Sequence, residues 1–289
     1  MAIDLAAQDR SDDRLENEAS SFNALYAHWE RCHWSPLELD LSRDAETFAA
    51  MSPEEQNGFV WMFGNRFHAE FNVARLLAPF LLAAPSWEMQ LLLATQVADE
   101  HRHMQAVLRI YEQVFGVKGG LPAVKALADS HLDPVSKLLL YDTLEAWTLP
   151  LLERQDETTF VQAVFAYHLI GEGVVARTGQ HLAAAQYERY EGFPGLVEGQ
   201  RLVGRDEARH IGIGVTYVRQ RMDAEPEQTR AVIGDLTEKL FTLASASLEQ
   251  ANEKIAEMVG SGYGVTPQEF YDEAMRLTMI RLRSIGFVG

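Results

Sequence analysis

The chain has 289 residues, of which 47% are hydrophobic and 23% are charged, and its formal net charge is −17. Such a polyanion repels nucleic acid and anionic lipid headgroups, so we expect neither as a partner. Because the chain has a single cysteine, an acidic N-terminus unlike a signal peptide and no uninterrupted apolar run of membrane-spanning length, we expect a cytoplasmic protein with no intrachain disulfide and no membrane span.

Apolar residues recur every three or four positions along almost the whole chain, which predicts an all-α protein. Two helix starts are marked by a capping box with proline at the first helical position, at Ser52-Pro53 and Thr266-Pro267. Helices are expected at about residues 12–33, 53–83, 86–115, 134–153, 156–190, 194–222, 226–259 and 267–284.

Long helices joined by short connections predict an antiparallel bundle, and the chain has no linker rich in glycine, serine or proline. We therefore expect one domain over residues 13–289, preceded by a disordered stretch at residues 1–12. Helix ends are predicted at these prolines and glycines: Pro79 or Pro85, Gly116, Gly192 and Gly260.

Two of the predicted helices, about a hundred residues apart, contain the same word, Asp-Glu-x-Arg-His. Positions three apart share a helix face, so Glu100 points with His103 and Glu207 points with His210. A carboxylate beside an imidazole is a natural half-site for a transition metal. The repetition therefore predicts the two halves of one dinuclear site.

Each word begins with an aspartate, Asp99 or Asp206, four residues before its histidine. Either carboxylate could accept the free N–H of a metal-bound imidazole, including one across the bundle, and so fix its tautomer. A third Glu-x-x-His, from Glu30 to His33, lacks the aspartate and lies at a predicted helix end. We interpret this third match as a chance occurrence.

A two-metal site in a helical bundle also needs one carboxylate from each of two further helices. Glu70 and Glu172 each interrupt an apolar helix one helix before a repeated word, and a buried carboxylate is very unfavourable unless it is paired or metal-bound. Gly171 and Gly173 flank Glu172 at a cost of about 1 kcal/mol each relative to alanine, which a π-bulge or close backbone packing would offset. Four carboxylates and two imidazoles suit iron and manganese better than zinc or copper.

At these six residues the sequence resembles the ferritin-like di-metal carboxylate proteins, and among them the ribonucleotide reductase small subunit. The resemblance extends over about residues 22–220 and includes "HWSPLELDLS", "YHLIGEGVVARTG" and "PGLVEGQRLVGRDEARHIGIG". The chain resembles in particular the small-subunit-like ligand-binding oxidases. The ether-linked valine and tyrosine of that family correspond to Val73 and Tyr167.

This resemblance implies a ferritin-like four-helix core, with additional helices, around a Mn/Fe centre, or a di-iron centre as the alternative. It implies manganese and iron held by two sets of three ligands, respectively Glu70, Glu100 and His103, and Glu172, Glu207 and His210. It also implies a long-chain fatty acid bound to the metals through its head group, and activation of O2 that forms the Val73–Tyr167 link. We expect a homodimer.

Four further residues are expected near this site. His168 shares a helix face with Glu172, so it is either an extra ligand or a hydrogen-bonding neighbour. Gln180 stands where the family often has a tyrosine, so its hydrogen bonding is expected to differ. Phe63 and Phe67 either pack in the core or line the space for a ligand tail.

Two other functions fit the same residues. The first is a ribonucleotide reductase small subunit without a radical tyrosine, because Val107 stands where the resemblance places that tyrosine. In that case Trp34 and Asp206 could belong to an electron path. The second is a non-catalytic, iron-handling helical bundle.

Overall fold

A computed structural model describes residues 12–190, 192–249 and 252–288. Within these residues the regular secondary structure is helical and no β-strand occurs, which confirms the predicted all-α class. The expected N-terminal disorder lies outside the described residues, apart from Asp12.

The chain folds into thirteen labelled α-helices within the described ranges, preceded by a helical stretch at residues 12–17. In chain order these are α1 (Phe22–Arg31), α2 (Ser42–Ala50), α3 (Pro53–Ala83), α4 (Trp87–Gln113), α5 (Gly120–His131), α6 (Pro134–Lys137), α7 (Leu144–Thr148), α8 (Glu157–Val164), α9 (Arg177–Tyr190), α10 (Pro194–Ala224), α11 (Pro226–Glu249), α12 (Glu253–Tyr263) and α13 (Pro267–Ser284). Two segments are π-helical, Leu138–Thr143 and Phe165–Ala176, and two are 3-10 turns, Pro36–Glu38 and Leu149–Leu152.

Four long rods form the bundle that surrounds the site. They are α3, α4, α10 and the rod made of α8, the second π segment and α9. Helix α3 packs along α4, and α10 packs against both the π segment and α4. The remaining helices cover this core, with α12 packed on α3 and α13 packed on the π segment.

Local sequence signals explain where several rods begin. The side chain of Ser52 accepts a hydrogen bond from the Glu55 amide, and the Glu55 carboxylate accepts one from the Ser52 amide, so α3 starts with the predicted capping box. Thr266 and Glu269 form the same box at the start of α13, as predicted.

Helix α3 ends at Ala83, as predicted, two residues before Pro85. The other proline considered as its end, Pro79, lies inside the helix, where it is buried beside Leu77 and Phe80, so apolar packing outweighs the hydrogen bond that proline removes. One predicted helix end is wrong. Gly260 lies inside α12, and the helix instead ends at Gly264, whose φ of 71° is the left-handed conformation of a capping glycine.

Other helices were missed or merged by the sequence prediction. Helix α5 was missed because it begins at two consecutive glycines, Gly119 and Gly120, which are typical of loops. Both adopt positive φ angles, 109° and 63°. Helix α2 is short and largely polar, and was missed as well. The region predicted as one helix over 226–259 contains α11 and α12, since the Asn252 side chain caps the start of the second helix.

The apolar core consists of two clusters, and the acidic residues of interest lie where the rods pass from one to the other. In α3, Phe67 belongs to one cluster and Val73 packs against the other, with Glu70 between them. In α10, Val203 and Ile211 stand in the same relation on either side of Glu207. Carboxylates are thus placed at the centre of the bundle, far from bulk water.

One rod, Glu157–Tyr190, is long and apolar enough to cross a membrane by length and composition alone. In the fold, 78% of its most apolar window is buried among the other helices, as in the core helix of a globular bundle. Its apolar character is accounted for by packing within the described chain.

Candidate dinuclear metal site

The six side chains predicted to bind metals meet in the middle of the bundle. Glu70 comes from α3, Glu172 from the second π segment, and the two Glu-x-x-His pairs come from α4 and α10. None of the six is more than 5% exposed. We refer to Glu70, Glu100, His103, Glu172, Glu207 and His210 as the six-residue cluster.

The cluster has two central and two outer carboxylates. Glu100 lies 3.4 Å from His103 Nδ1 through one oxygen and 3.2 Å from His210 Nδ1 through the other. Glu207 lies 3.7 Å from each of the same two nitrogens. Glu100 is therefore placed to serve two cations, and Glu207 lies at equal distances from the two imidazoles.

The outer carboxylates each approach one imidazole. Glu70 Oε2 lies 3.4 Å from His103 Nδ1, and Glu172 Oε1 lies 3.7 Å from His210 Nδ1. Ligand atoms fall into two groups, each within 4.8 Å of one another: Glu70, Glu100, His103 and Glu207 in the first, and Glu100, Glu172 and His210 in the second. Sharing of Glu100 between the groups is the arrangement that a dinuclear site requires.

The polar atoms that face the centre of the cluster lack hydrogen-bond partners within the described part of the chain. Buried polar groups are normally hydrogen-bonded, so a concentration of unpartnered atoms at one point fits a site that could hold cations. The atoms are Nδ1 of His103 and of His210, Oε2 of Glu70, Glu172 and Glu207, and both carboxylate oxygens of Glu100. Oxygen and imidazole nitrogen in these numbers fit iron and manganese.

The two repeated words exchange hydrogen bonds across the bundle. His103 Nε2 donates to Asp206 (3.3 Å), and His210 Nε2 donates to Asp99 (3.1 Å). Each aspartate thus binds Nε2 of the histidine on the opposite helix, which leaves Nδ1 of that histidine facing the cluster. Each copy of the repeated Asp-Glu-x-Arg-His word supplies a histidine and also the aspartate that accepts a hydrogen bond from the histidine of the other copy.

The arginines of the two repeated words form ion pairs with the same aspartates. Arg102 Nη1 lies 2.8 Å from Asp99 and 3.3 Å from Asp206, and Arg209 Nη2 lies 2.7 Å from Asp99. Burial alone would raise the pKa of Asp99, but the His210 hydrogen bond and the Arg209 charge hold that pKa well below its usual range. Asp99 is therefore ionised and can hold its imidazole in place.

The pKa shifts of the cluster residues show that the site favours positive charge. Burial raises the pKa of both Glu70 and Glu172. Burial would also raise the pKa of Glu100, but the two adjacent histidines, whose Nδ1 atoms lie 3.4 Å and 3.2 Å from its oxygens, hold it well below the usual value. The pKa values of His103 and His210 are raised, because the surrounding carboxylates outweigh the effect of burial. Protons on these histidines occupy the place that cations would take.

The helix around Glu172 deviates from α-helical geometry in the way that its flanking glycines predict. Phe165–Ala176 is π-helical, which confirms the expected π-type irregularity. The backbone is also closely packed, since a Cβ added to Gly173 would lie 3.1 Å from Arg281 Cδ. Both features offset the cost of glycine in mid-helix.

His168 and Gln180 lie near the cluster without facing it. His168 Nε2 donates to Gln96 Oε1 (3.0 Å), and Gln96 Nε2 donates to Glu172 Oε1 (2.7 Å). Burial lowers the pKa of His168 to about 3, so the ring is neutral. Gln180 accepts a hydrogen bond from Arg177 (3.0 Å). Sequence reasoning missed Gln96. Its one recognisable feature in the sequence is that it is a polar residue on the ligand-bearing face of α4.

The third Glu-x-x-His lies at the surface, outside the six-residue cluster. Both residues are exposed, Glu30 accepts a hydrogen bond from Tyr26, and His33 interacts with Arg102 at 3.1 Å. The interpretation of this match as a chance occurrence agrees with its surface position.

Tyr167 and Val73 are neighbours across the bundle. The Tyr167 hydroxyl donates a hydrogen bond to the Val73 carbonyl oxygen (3.1 Å), and the tyrosine is fully buried. Burial and then the charges of the nearby glutamates, Glu100 first, raise the pKa of Tyr167 well above its usual value. The phenol therefore keeps its proton beside the cluster.

A largely apolar cavity of about 310 Å³ opens onto one side of the cluster. Glu70, Glu172 and Glu207 form its polar end, and Val73 and Phe63 lie in its wall. Phe67 does not line this cavity, because its ring packs against those of Phe71 and Tyr111. Of the two phenylalanines considered for a ligand tail, only Phe63 is placed to contact one. The remaining wall comes from the first π segment, the rod around Glu172, and helices α11 to α13.

Fold and site together define a ferritin-like helical protein whose interior is compatible with a dinuclear metal centre. Residues 16–261 match the family model described as ribonucleotide reductase, small chain. The chain belongs to the ribonucleotide reductase small chain family.

Solved structures with the same fold include variants of an R2-like ligand-binding oxidase. A valine-to-alanine variant with an anaerobically reconstituted Mn/Fe cofactor and a tyrosine-to-phenylalanine variant with an aerobically reconstituted Mn/Fe cofactor each have a TM-score of 0.80 and 19% sequence identity. A glycine-to-leucine variant with a non-activated Mn/Mn cofactor gives the same values. Each comparison covers 93% of this chain and 94% of the other. At this identity the likeness is one of fold.

Proposed function

We propose that the protein is an oxygen-activating oxidase that uses a Mn/Fe pair, or a di-iron pair, for the two-electron oxidation of a C–H bond. The observation that carries this proposal is the meeting of the six-residue cluster, with its unpartnered ligand atoms, and an apolar cavity at one point. When bound, the metal pair would supply the redox centre at which O2 is reduced.

In this proposal the role of each residue follows from its position in the site. Glu100 would be shared between the two ions, with Glu207 beside both imidazoles, while Glu70 with His103 and Glu172 with His210 would complete one position each. Asp99 and Asp206, outside the cluster, keep each imidazole in the tautomer whose Nδ1 is free to bind. The surrounding apolar clusters exclude water from the site.

The cavity suits a long-chain fatty acid or a similar lipid-like molecule. Its walls are mostly apolar, and its one acidic end lies at Glu70, Glu172 and Glu207, where bound cations would attract a carboxylate head group. Extraction of the purified protein with organic solvent, followed by mass spectrometry, tests this assignment. A stoichiometric lipid is expected, and its absence from metal-loaded protein would contradict the fatty-acid assignment.

The proposal includes an ether bond between the Tyr167 oxygen and the Val73 side chain. Formation of the bond removes one hydrogen from Val73 Cβ and one from the Tyr167 hydroxyl, which is two protons and two electrons. O2 is the oxidant, and the two further electrons for its reduction to two water molecules would come from Mn(II) and Fe(II), each oxidised by one electron, with two further protons from water. The hydrogen bond from Tyr167 to the Val73 carbonyl supports this pairing, since it holds the phenol beside that residue.

Loss of two hydrogens is the expected result of aerobic reconstitution with Mn(II) and Fe(II). Intact-mass analysis should show a decrease of about two mass units, and peptide mapping should join the fragments that contain Val73 and Tyr167. Tyr167→Phe lacks the phenol and should keep its full mass under the same treatment. An unchanged mass in fully metal-loaded protein would refute the cross-link.

A second candidate function is that of a ribonucleotide reductase small subunit without a radical tyrosine. The favouring observation is a hydrogen-bonded chain in which Trp34 Nε1 donates to Asp206 (2.6 Å), which also accepts from His103. Val107, at the position where the family resemblance places the radical tyrosine, is buried and cannot form a phenoxyl radical. Nucleotide reduction on addition of a reductase large subunit would establish this function, and its absence would favour the oxidase.

We also propose that the protein is a cytoplasmic homodimer. Light scattering of the purified protein should give twice the mass of one chain. A much larger, cage-like particle would instead favour an iron-storage role.

A further inference from the structure

Three buried charged side chains lie beside the six-residue cluster and outside the chemistry proposed above. Glu16 is 7%, Arg177 9% and Arg281 2% exposed. The Glu16 carboxylate pairs with Arg281 Nη2 at 2.6 Å and with the Arg177 guanidinium. These residues belong to the helical stretch at residues 12–17, to α9 and to α13, so their contact joins three distant parts of the chain.

Arg281 is bonded to the backbone beside Glu172. Its Nε donates to the Gly173 carbonyl at 3.1 Å, while Nη1 donates to the Glu16 carbonyl at 2.8 Å. Gly173 has no Cβ, and one placed there would lie 3.1 Å from both Cδ and Nε of the arginine. Because Gly173 follows Glu172 directly, the guanidinium helps to fix the segment that presents this carboxylate.

Arg177 lies on the Glu207 side of the cluster. Its Nη1 lies 3.0 Å from the place where a Gly204 Cβ would be, one turn before Glu207 on α10. Burial lowers the pKa of Arg177 to about 10, and the charge of Glu207 opposes that shift. Arg177 is thus a buried cation next to a proposed metal ligand, and Glu16 is its ion-pair partner.

We infer that Glu16 is a positioning residue for the metal centre. Its carboxylate neutralises one of the two buried arginine charges and holds Arg281 on the Gly173 carbonyl. Loss of the Glu16 charge leaves an additional uncompensated cation beside a site that must bind two metal ions, which opposes binding. The inference rests on the proposed metal centre, and it makes docking of the N-terminal helical stretch a condition for full metal affinity.

Anaerobic titration of the full-length protein with Mn(II) and with Fe(II) tests this role. Glu16→Gln is expected to weaken metal binding by about tenfold, the lower end of the effect of residues that support metal ligands. The double variant Glu16→Gln with Arg177→Gln restores the net charge of the trio and should bind within about threefold of the original protein. A purely structural role predicts the opposite, since two disrupted buried residues should bind metal no better than one.

Glu273→Gln is the matched control, because Glu273 pairs with Arg276 at 2.7 Å on α13 and this pair has no contact with the six-residue cluster among the contacts of the described residues. Its metal affinity should equal that of the original protein. Unchanged affinity in Glu16→Gln, or a double variant weaker than the single one, would overturn the inference. Failure of the unaltered protein to bind metal would instead refute the metal centre itself.

Arg281→Lys provides a second test should Glu16→Gln fail to fold. Lysine keeps the charge that pairs with Glu16 but lacks the Nε donor that binds the Gly173 carbonyl. The electron paramagnetic resonance spectrum of bound Mn(II) should change, since the segment carrying Glu172 is less constrained. An unchanged spectrum would show that Arg281 does not position this segment.

Discussion

Glu100→Ala is expected to lose high-affinity binding at both metal positions, because Glu100 is the carboxylate that contacts both imidazoles at 3.4 Å and 3.2 Å. Removal of residues that merely support a ligand typically costs 10–100-fold in metal affinity, so removal of a bridging ligand should cost at least about 100-fold. That factor corresponds to about 2.7 kcal/mol per metal position. Elemental analysis of the reconstituted variant should show far less than two metals per chain.

Two matched variants make this result specific. Glu172→Gln removes an outer carboxylate that approaches only His210, so it should retain one metal and lose the other. Glu30→Ala alters the third Glu-x-x-His at the surface and should retain two metals. Full metal content in Glu100→Ala would show that the central position of this carboxylate has no part in binding.

Removal of the metals is expected to lower the thermal stability of the protein substantially. The cluster holds four carboxylates at the centre of the bundle, and the geometry that binds cations exists only in the folded chain. Metal at about 1,000 times its Kd would stabilise the folded state by about 4 kcal/mol. For a chain of this size that corresponds to a rise in Tm of roughly 7 °C.

Calorimetry on metal-loaded protein and on chelator-treated protein measures this difference. Glu100→Ala is the informative comparison, since its Tm should respond little to added Mn(II) and Fe(II). Equal Tm values for the loaded and stripped forms of the original protein would mean that the cluster does not couple metal binding to folding.

The rods and the six ligand-type side chains could be read from the sequence because they depend on local spacing. Glu-x-x-His places two ligands on one helix face wherever that helix lies, and the capping boxes at Ser52 and Thr266 mark helix starts by contacts within four residues. The π-helical segment was also signalled locally, by glycines on both sides of Glu172 in an otherwise apolar helix.

Features that depend on packing between distant segments were not readable in the same way. The sequence left Pro79 and Pro85 as alternative ends of α3, because the burial that retains Pro79 in the helix comes from other helices. The hydrogen bond from Gln96 to Glu172 spans 76 positions, and the contact from Arg281 to Glu16 spans 265. No periodicity encodes such pairings. The ligand cavity is likewise a space between helices, so Phe63 and Phe67 could not be distinguished until the rods were placed.

One contact between distant segments could be predicted in part, namely the hydrogen bonds that the two repeated words form with each other. The aspartates four residues before each histidine suggested a hydrogen bond across the bundle, and the structure contains one in each direction. Duplication made this contact readable, because two identical words on facing helices can satisfy each other.

Anomalous scattering from crystals reconstituted with manganese and iron, measured on both sides of each absorption edge, is the most direct test of the proposed centre. Two peaks are expected inside the bundle, a manganese peak bounded by Glu70 and His103 and an iron peak bounded by Glu172 and His210, with Glu100 and Glu207 between them. A single peak, or metal bound away from these side chains in fully reconstituted protein, would contradict the dinuclear site.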